Sequence, residues 1–113
     1  MKIQKRLREF ATLRQWEKFH SPNNLSMAVA AEAAELLEIF QWLTEEESRE
    51  IVASASQMSA VREEIADVLI YLVRLADVLG IEIEAAVSEK MSLNERKYPI
   101  EAARGNAVKY NRR

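Results

Sequence analysis

Glycine and proline are almost absent: Pro22, Gly80, Pro99 and Gly105 are the only ones in 113 residues. Short strands joined by tight turns need such punctuation, and no run alternates apolar and polar positions with β-branched enrichment, so the chain is read as all-α. The spacing predicts a helix from about residue 2 to 19, a turn at "HSPNN", a second helix from about 25 to 43, and a short helix entered through the capping-box pattern Thr44 to Glu47. A third long helix follows from about 59 to 79, ended by Gly80, and "IEIEAAVSEKMSLNERKY" forms a fourth that stops near Pro99. No linker or solenoid repeat divides the chain. The expected organisation is one four-helix domain over residues 1–100 and a basic tail over 101–113, at a size that supports a real core.

Charge narrows the classes of ligand. Residues 1–20 hold six Lys and Arg against two Glu, whereas residues 32–67 hold ten acids against Arg49 and Arg62, for a net charge of −2. A mildly acidic chain makes a poor nucleic-acid track, so a small ligand is expected and no nucleic acid. There is no cysteine, which excludes disulfides and thiolate metal sites. "MKIQKRLREF" lacks the apolar segment of a signal peptide, and the most apolar helix is interrupted by glutamates well short of a membrane span. A cytoplasmic protein with no membrane partner is expected.

The stretch "AVAAEAAELLEIFQW", residues 28–42, is apolar on nearly every side yet carries Glu32, Glu35 and Glu38. Carboxylates withdrawn from water cost several kcal/mol each unless a positive charge meets them. In "EEIADVLIYLV" the same arrangement recurs, with Glu64 one turn before Asp67. A spacing of three puts each pair on one helix face, and two antiparallel helices would gather four carboxylates. Mutual repulsion in such a group would raise the carboxyl pKa values or demand a cation. Mg²⁺ suits it, because that ion takes few carboxylates, keeps waters and completes its shell with substrate phosphates. A solvated polar stripe remains the alternative on spacing alone. A di-iron centre needs Glu-x-x-His, and the only histidine, His20, lies outside both pairs.

The pattern Glu32-x-x-Glu35, 28 residues, Glu64-x-x-Asp67 resembles the metal motif of the all-α nucleoside triphosphate pyrophosphohydrolases, the MazG-like group. Its company strengthens the resemblance: "RQWEKFHSPNNL" before it, "FQW" after the first pair, "ADVLIYLV" around the second and "KMSLNERKYP" on the last helix. These are most similar to the single-domain type related to the dCTP pyrophosphatases. The resemblance implies that Glu32, Glu35, Glu64 and Asp67 are metal ligands and the catalytic centre, holding Mg²⁺, with Mn²⁺ able to substitute. The implied reaction is attack of water on the α-phosphorus of a nucleoside triphosphate, the expected substrates being dCTP and other dNTPs, which yields a monophosphate and pyrophosphate.

The resemblance further implies substrate contacts from Lys90, Asn94 and Lys97, which recur at spacings of four and three, and from Tyr71, one turn past Asp67. Trp16 and Trp42 would help to enclose the base, with Phe19 beside them. By its position one turn beyond Glu35, Glu38 is read either as a base or brace for the ligands or as an ordinary exposed glutamate. Leu7 departs from the family, whose eukaryotic dCTP members carry a histidine there, so strict cytosine selectivity is not expected. Family members of this type assemble as dimers or tetramers. Leu25, Met27, Val29, Leu36, Leu37, Ile39, Phe40 and Leu43 surround so much of the second helix that a self-associating surface is expected, a homotetramer over a dimer. The alternatives are a catalytically silent helical interaction module and a dUTPase-like or phosphoribosyl-ATP pyrophosphohydrolase-like relative.

Overall fold

The computed structural model describes residues 1–105, and these form only helices and turns, as the sequence leads one to expect. In order they are α1 (Lys2–Leu13), a 3₁₀ turn (Glu17–Phe19), α2 (Pro22–Phe40), α3 (Glu45–Glu50), a second 3₁₀ turn (Ile51–Ala53), α4 (Ala55–Val78), α5 (Ile83–Lys97) and α6 (Ile100–Ala103). They group into two compact units, Met1–Gly80 and Ile81–Arg113. Most of the basic tail expected at 101–113 lies outside the described residues, while α6 occupies its beginning.

The first helix is shorter than its apolar pattern suggests. Arg14 closes α1, Gln15 takes a left-handed conformation at φ 53°, and the chain folds back on itself. Gln15 N–H donates to Thr12 O at 3.1 Å and Trp16 N–H to Ala11 O at 2.9 Å. This is the six-to-one and five-to-two bonding of a Schellman motif, made here without the usual glycine. Its effect is to swing the Trp16 side chain back toward α1.

The "HSPNN" segment is a helix start rather than a turn. Ser21 Oγ accepts from Asn24 N–H at 3.1 Å, and Pro22 stands at the first helical position, where its missing N–H costs nothing. Thr44 and Glu47 form the expected reciprocal capping box at 2.9 and 3.1 Å. Ser54 caps α4 through Gln57 N–H, which starts that helix four residues before the apolar repeat becomes visible. Gly80 ends it with φ 70°.

Within the first unit α2 packs along α4, and α1 crosses α4 on another side. Leu25, Val61, Val73 and Ala76 from the long pair are buried, with Ala11 from α1 and Ile51 from the second 3₁₀ turn. Each fully buried Leu or Val stabilises the fold by roughly 1.5–3 kcal/mol relative to exposure. Larger apolar side chains remain uncovered: Ile65, Leu69 and Leu72 share one face of α4, and Leu37 of α2 is also exposed. No helix among the described residues is long and apolar enough to cross a membrane.

Candidate active site

The α2–α4 seam gathers the carboxylates. Glu32 and Glu35 come from adjacent turns of α2 and Glu64 from α4, and one oxygen from each lies within 4.8 Å of the others. Asp67 is not one of this trio, yet its charge acts on both Glu32 and Glu64. Glu38 joins Glu35 and Glu64 along the adjoining groove, as does Glu63, which the sequence pattern did not single out.

Glu32 Oε2 and Glu64 Oε2 are buried without a hydrogen-bond partner. Leaving such groups unpaired costs more than an ordinary hydrogen bond contributes. Burial, then the neighbouring carboxyls of Glu35 and Glu64, pushes Glu32 up to about 7. Glu64 is raised as well, first by burial, against an opposing contribution from Glu32, and then by the charges of Glu35 and Asp67. Neither can ionise freely beside the other until something positive arrives. Two partnerless buried oxygens on hard donors suit a divalent cation of the Mg²⁺ or Mn²⁺ kind.

Next to the carboxylates is a largely apolar cavity of about 250 Å³. Leu7, Phe10 and Ala11 of α1 form one wall, Trp16 and His20 another, and Asp67, Ile70, Tyr71 and Arg74 of α4 the third. Asp67 thus belongs to both places. Phe10 meets Trp16 edge-on, ring centroids 5.6 Å apart, and Arg14 stacks over Phe10 with its guanidinium carbon 3.6 Å from the ring centroid. The Schellman turn therefore fixes an aromatic wall that helix periodicity alone could not place.

Behind the cavity runs a polar relay that sequence reasoning missed. Arg74 Nε donates to His20 Nδ1 at 3.0 Å, and Arg74 Nη1 to Asp77 Oδ2 at 2.8 Å. Asp77 also accepts from Gln4 Nε2 at 2.9 Å and from Arg8 Nη2 at 2.6 Å, so α1 is tied to α4. Arg8, largest through its hydrogen bond, holds the Asp77 carboxyl below the usual carboxylate range. Burial, and then the charge of Arg74, lowers His20. One signal was available: Asp67, Tyr71, Arg74 and Asp77, at spacings of four, three and three, run down a single face of α4.

Other expected contacts are dispersed. Trp42 lies beyond the end of α2, 86% exposed, and Phe19 is exposed too, so Trp16 alone of these three reaches the cavity. In the second unit, Lys90 and Asn94 are exposed on α5 and Lys97 stands at its last turn, half-buried. Asn94 O accepts from Tyr98 N–H at 2.8 Å, which closes that helix before Pro99.

The sequence profile of the MazG-like family matches residues 27–112. The chain is 45% identical over 102 residues to dCTP pyrophosphatase 1 of Bos taurus and equally to that of Homo sapiens, which covers 90% of this chain and 60% of either relative. It therefore spans about three-fifths of the length of these relatives. The crystal structure of a pyrophosphatase from Archaeoglobus fulgidus superimposes with a TM-score of 0.77 at 50% identity, covering 84% of this chain and 87% of that one.

Proposed function

Because the chain belongs to the MazG-like family, we propose that it is a Mg²⁺-dependent nucleoside triphosphate pyrophosphohydrolase that converts deoxynucleoside triphosphates to monophosphates and pyrophosphate, in cleansing of the nucleotide pool. The observation that carries this reading is the pair of buried, partnerless oxygens on Glu32 and Glu64, set beside an aromatic cavity through the shared residue Asp67. The 60% coverage of the dCTP pyrophosphatases leaves the substrate a proposal for this chain.

In this reading the base enters the cavity against Trp16, and Tyr71 and Asp67 mark the passage toward the phosphates. Glu32, Glu35, Glu64 and Asp67 would hold Mg²⁺, with Mn²⁺ as a substitute. When bound, the cation neutralises phosphate charge and makes a coordinated water more acidic. Glu38 would accept a proton from the attacking water or brace Glu35. Lys90, Asn94 and Lys97, which match the family motif, supply donors to triphosphate oxygens. Aromatic faces stack on any base, so several dNTPs serve as substrates, dCTP among the better ones.

Exposed Ile65, Leu69 and Leu72 on α4, and Trp42, support closure by further copies of the chain, a homotetramer with two-fold symmetry. Trp42 would then reach a base only in the assembly. A cytoplasmic location agrees with the nucleotide substrate. The test is a panel of dNTPs and NTPs incubated with Mg²⁺ and resolved by ion-exchange chromatography. Monophosphate and pyrophosphate are expected as first products, and a panel with no turnover would overturn the reading.

A further inference from the structure

Leucine at position 7 leaves the cavity without the polar group that the resemblance leads one to look for there, yet the lining holds another, His20. Arg74 Nε donates to His20 Nδ1 at 3.0 Å. A guanidinium has no acceptor and does not lose its proton, so Nδ1 must be the acceptor and the ring proton must sit on Nε2. Arg74 cannot turn away, because its Nη1 is held by Asp77 in an ion pair whose side chains are only 7% and 8% exposed. Asp77 is in turn fixed by Gln4 and Arg8 from α1. The relay thus sets one tautomer of one imidazole on the cavity wall, next to Trp16, whose ring centroid is 6.3 Å away.

We propose that His20 is a specificity-determining residue: its Nε2–H donates to the ring-nitrogen and carbonyl acceptor edge of the base, favouring cytosine over uracil and thymine. The inference rests on the hydrolase reading above in taking this cavity as the base site. Cytosine presents N3 and O2 as adjacent acceptors, whereas uracil and thymine carry a proton on N3 that would meet the His20 donor head-on. An apolar wall discriminates weakly, but a site that hydrogen-bonds a base edge leaves its own group unpaired against the wrong base. Arg74 and Asp77 act through His20 as positioning residues. The lowered basicity of His20 keeps the imidazole neutral at pH 7, in accord with a single donor on its free side.

His20 is the only histidine in the chain, so its ring nitrogens can be observed alone. Protein labelled with ¹⁵N-histidine is titrated with dCMP, dUMP and dTMP while long-range ¹H–¹⁵N spectra are recorded, and pyrophosphate release from dCTP and dTTP is measured on unlabelled samples. Wild-type protein is expected to show the Nε2–H tautomer, with an Nε2 resonance that moves on saturation with dCMP and binds dUMP and dTMP about tenfold more weakly. His20→Gln keeps a donor near the Nε2 position and retains part of that ratio, whereas His20→Phe brings dCMP and dTMP to within about twofold. Arg74→Met is expected to release the tautomer to a mixture. An Nδ1–H tautomer in the wild type, or His20 resonances unmoved by saturating dCMP, would overturn the proposal even if dCTP is hydrolysed. Resonances that move with dCMP in a protein that releases no pyrophosphate would overturn the hydrolase reading and leave the base contact standing.

Discussion

Replacing Asp77 with asparagine should lower the melting temperature of the metal-free protein by about 12–24 °C, a figure that follows from where its partners sit. Asp77 accepts from Gln4, Arg8 and Arg74, the last across a pair with both side chains less than a tenth exposed. Asparagine keeps one acceptor oxygen but puts an NH₂ where a carboxylate oxygen met a guanidinium. Breaking a buried pair from one side costs roughly 3–5 kcal/mol, because the remaining charge stays buried alone. Arg8 is 56% exposed and largely rescued by water, so the lower end of the range applies. At about 3 kcal/mol, a domain of this size loses about 4–8 °C for each. Circular-dichroism melts at matched protein concentration measure it, with Arg8→Met as a control that shifts far less. The depressed pKa of Asp77 adds a sign: its stabilisation is full above the ordinary carboxylate range and is lost as pH falls through the folded value, so the variant should also lose that acid-side slope. A melting temperature within about 2 °C of wild type would refute the reasoning that the buried Arg74 guanidinium depends on the Asp77 carboxylate.

The remaining expectations concern the carboxylates and the assembly. Glu32 is raised to about 7, so its neutral form stabilises the metal-free fold at low pH and that stabilisation is lost as pH rises through the folded value. Wild-type melting temperature should therefore fall between pH 5 and 8 without metal, and Glu32→Gln should flatten the profile while abolishing turnover; a profile that rises in wild type contradicts it. Since a carboxyl at about 7 is ionised about 9% at pH 6 and about 91% at pH 8, apparent Mg²⁺ affinity by calorimetry should rise about tenfold from pH 6 to pH 8, with proton release on binding at the lower pH. An affinity independent of pH would mean the ion binds elsewhere. Trp42→Ala should raise KM for every base together more than it lowers kcat, because stacking is shared by ground and transition states. Light scattering should report more than one chain at micromolar concentration, and a monomer would remove Trp42 from the site altogether.

Helix content and the carboxylate gathering were legible because both are periodic: a three-residue spacing on two apolar helices forces Glu32, Glu35 and Glu64 toward one seam wherever those helices pack. The end of α1 was not legible. Gln15 makes a left-handed turn that glycine usually makes, and only the bonds from Gln15 and Trp16 back to Thr12 and Ala11 reveal it. The start of α2 was legible in part, since Ser21 before Pro22 is a strong helix entry, but the cluster of turn-forming residues masked it. His20 lacks a partnering glutamate at the spacing of a metal motif, and nothing in the local pattern tells Arg74 and Asp77 apart from a solvated stripe. Their role depends on α1 crossing α4 so that Arg8 and Gln4 meet Asp77, a contact between residues about 70 positions apart that no local pattern encodes. Trp42 shows the opposite limit, because the sequence motif singles it out for the base, yet it is exposed and does not line the cavity.

A carboxylate site of this kind must direct water to the α-phosphorus. The decisive measurement is a single turnover of dCTP with Mg²⁺ in ¹⁸O-water, with the products separated and weighed by mass spectrometry. Label found in dCMP, with unlabelled pyrophosphate released beside it, is the expected result; label in pyrophosphate, or dCDP and orthophosphate as first products, would contradict it.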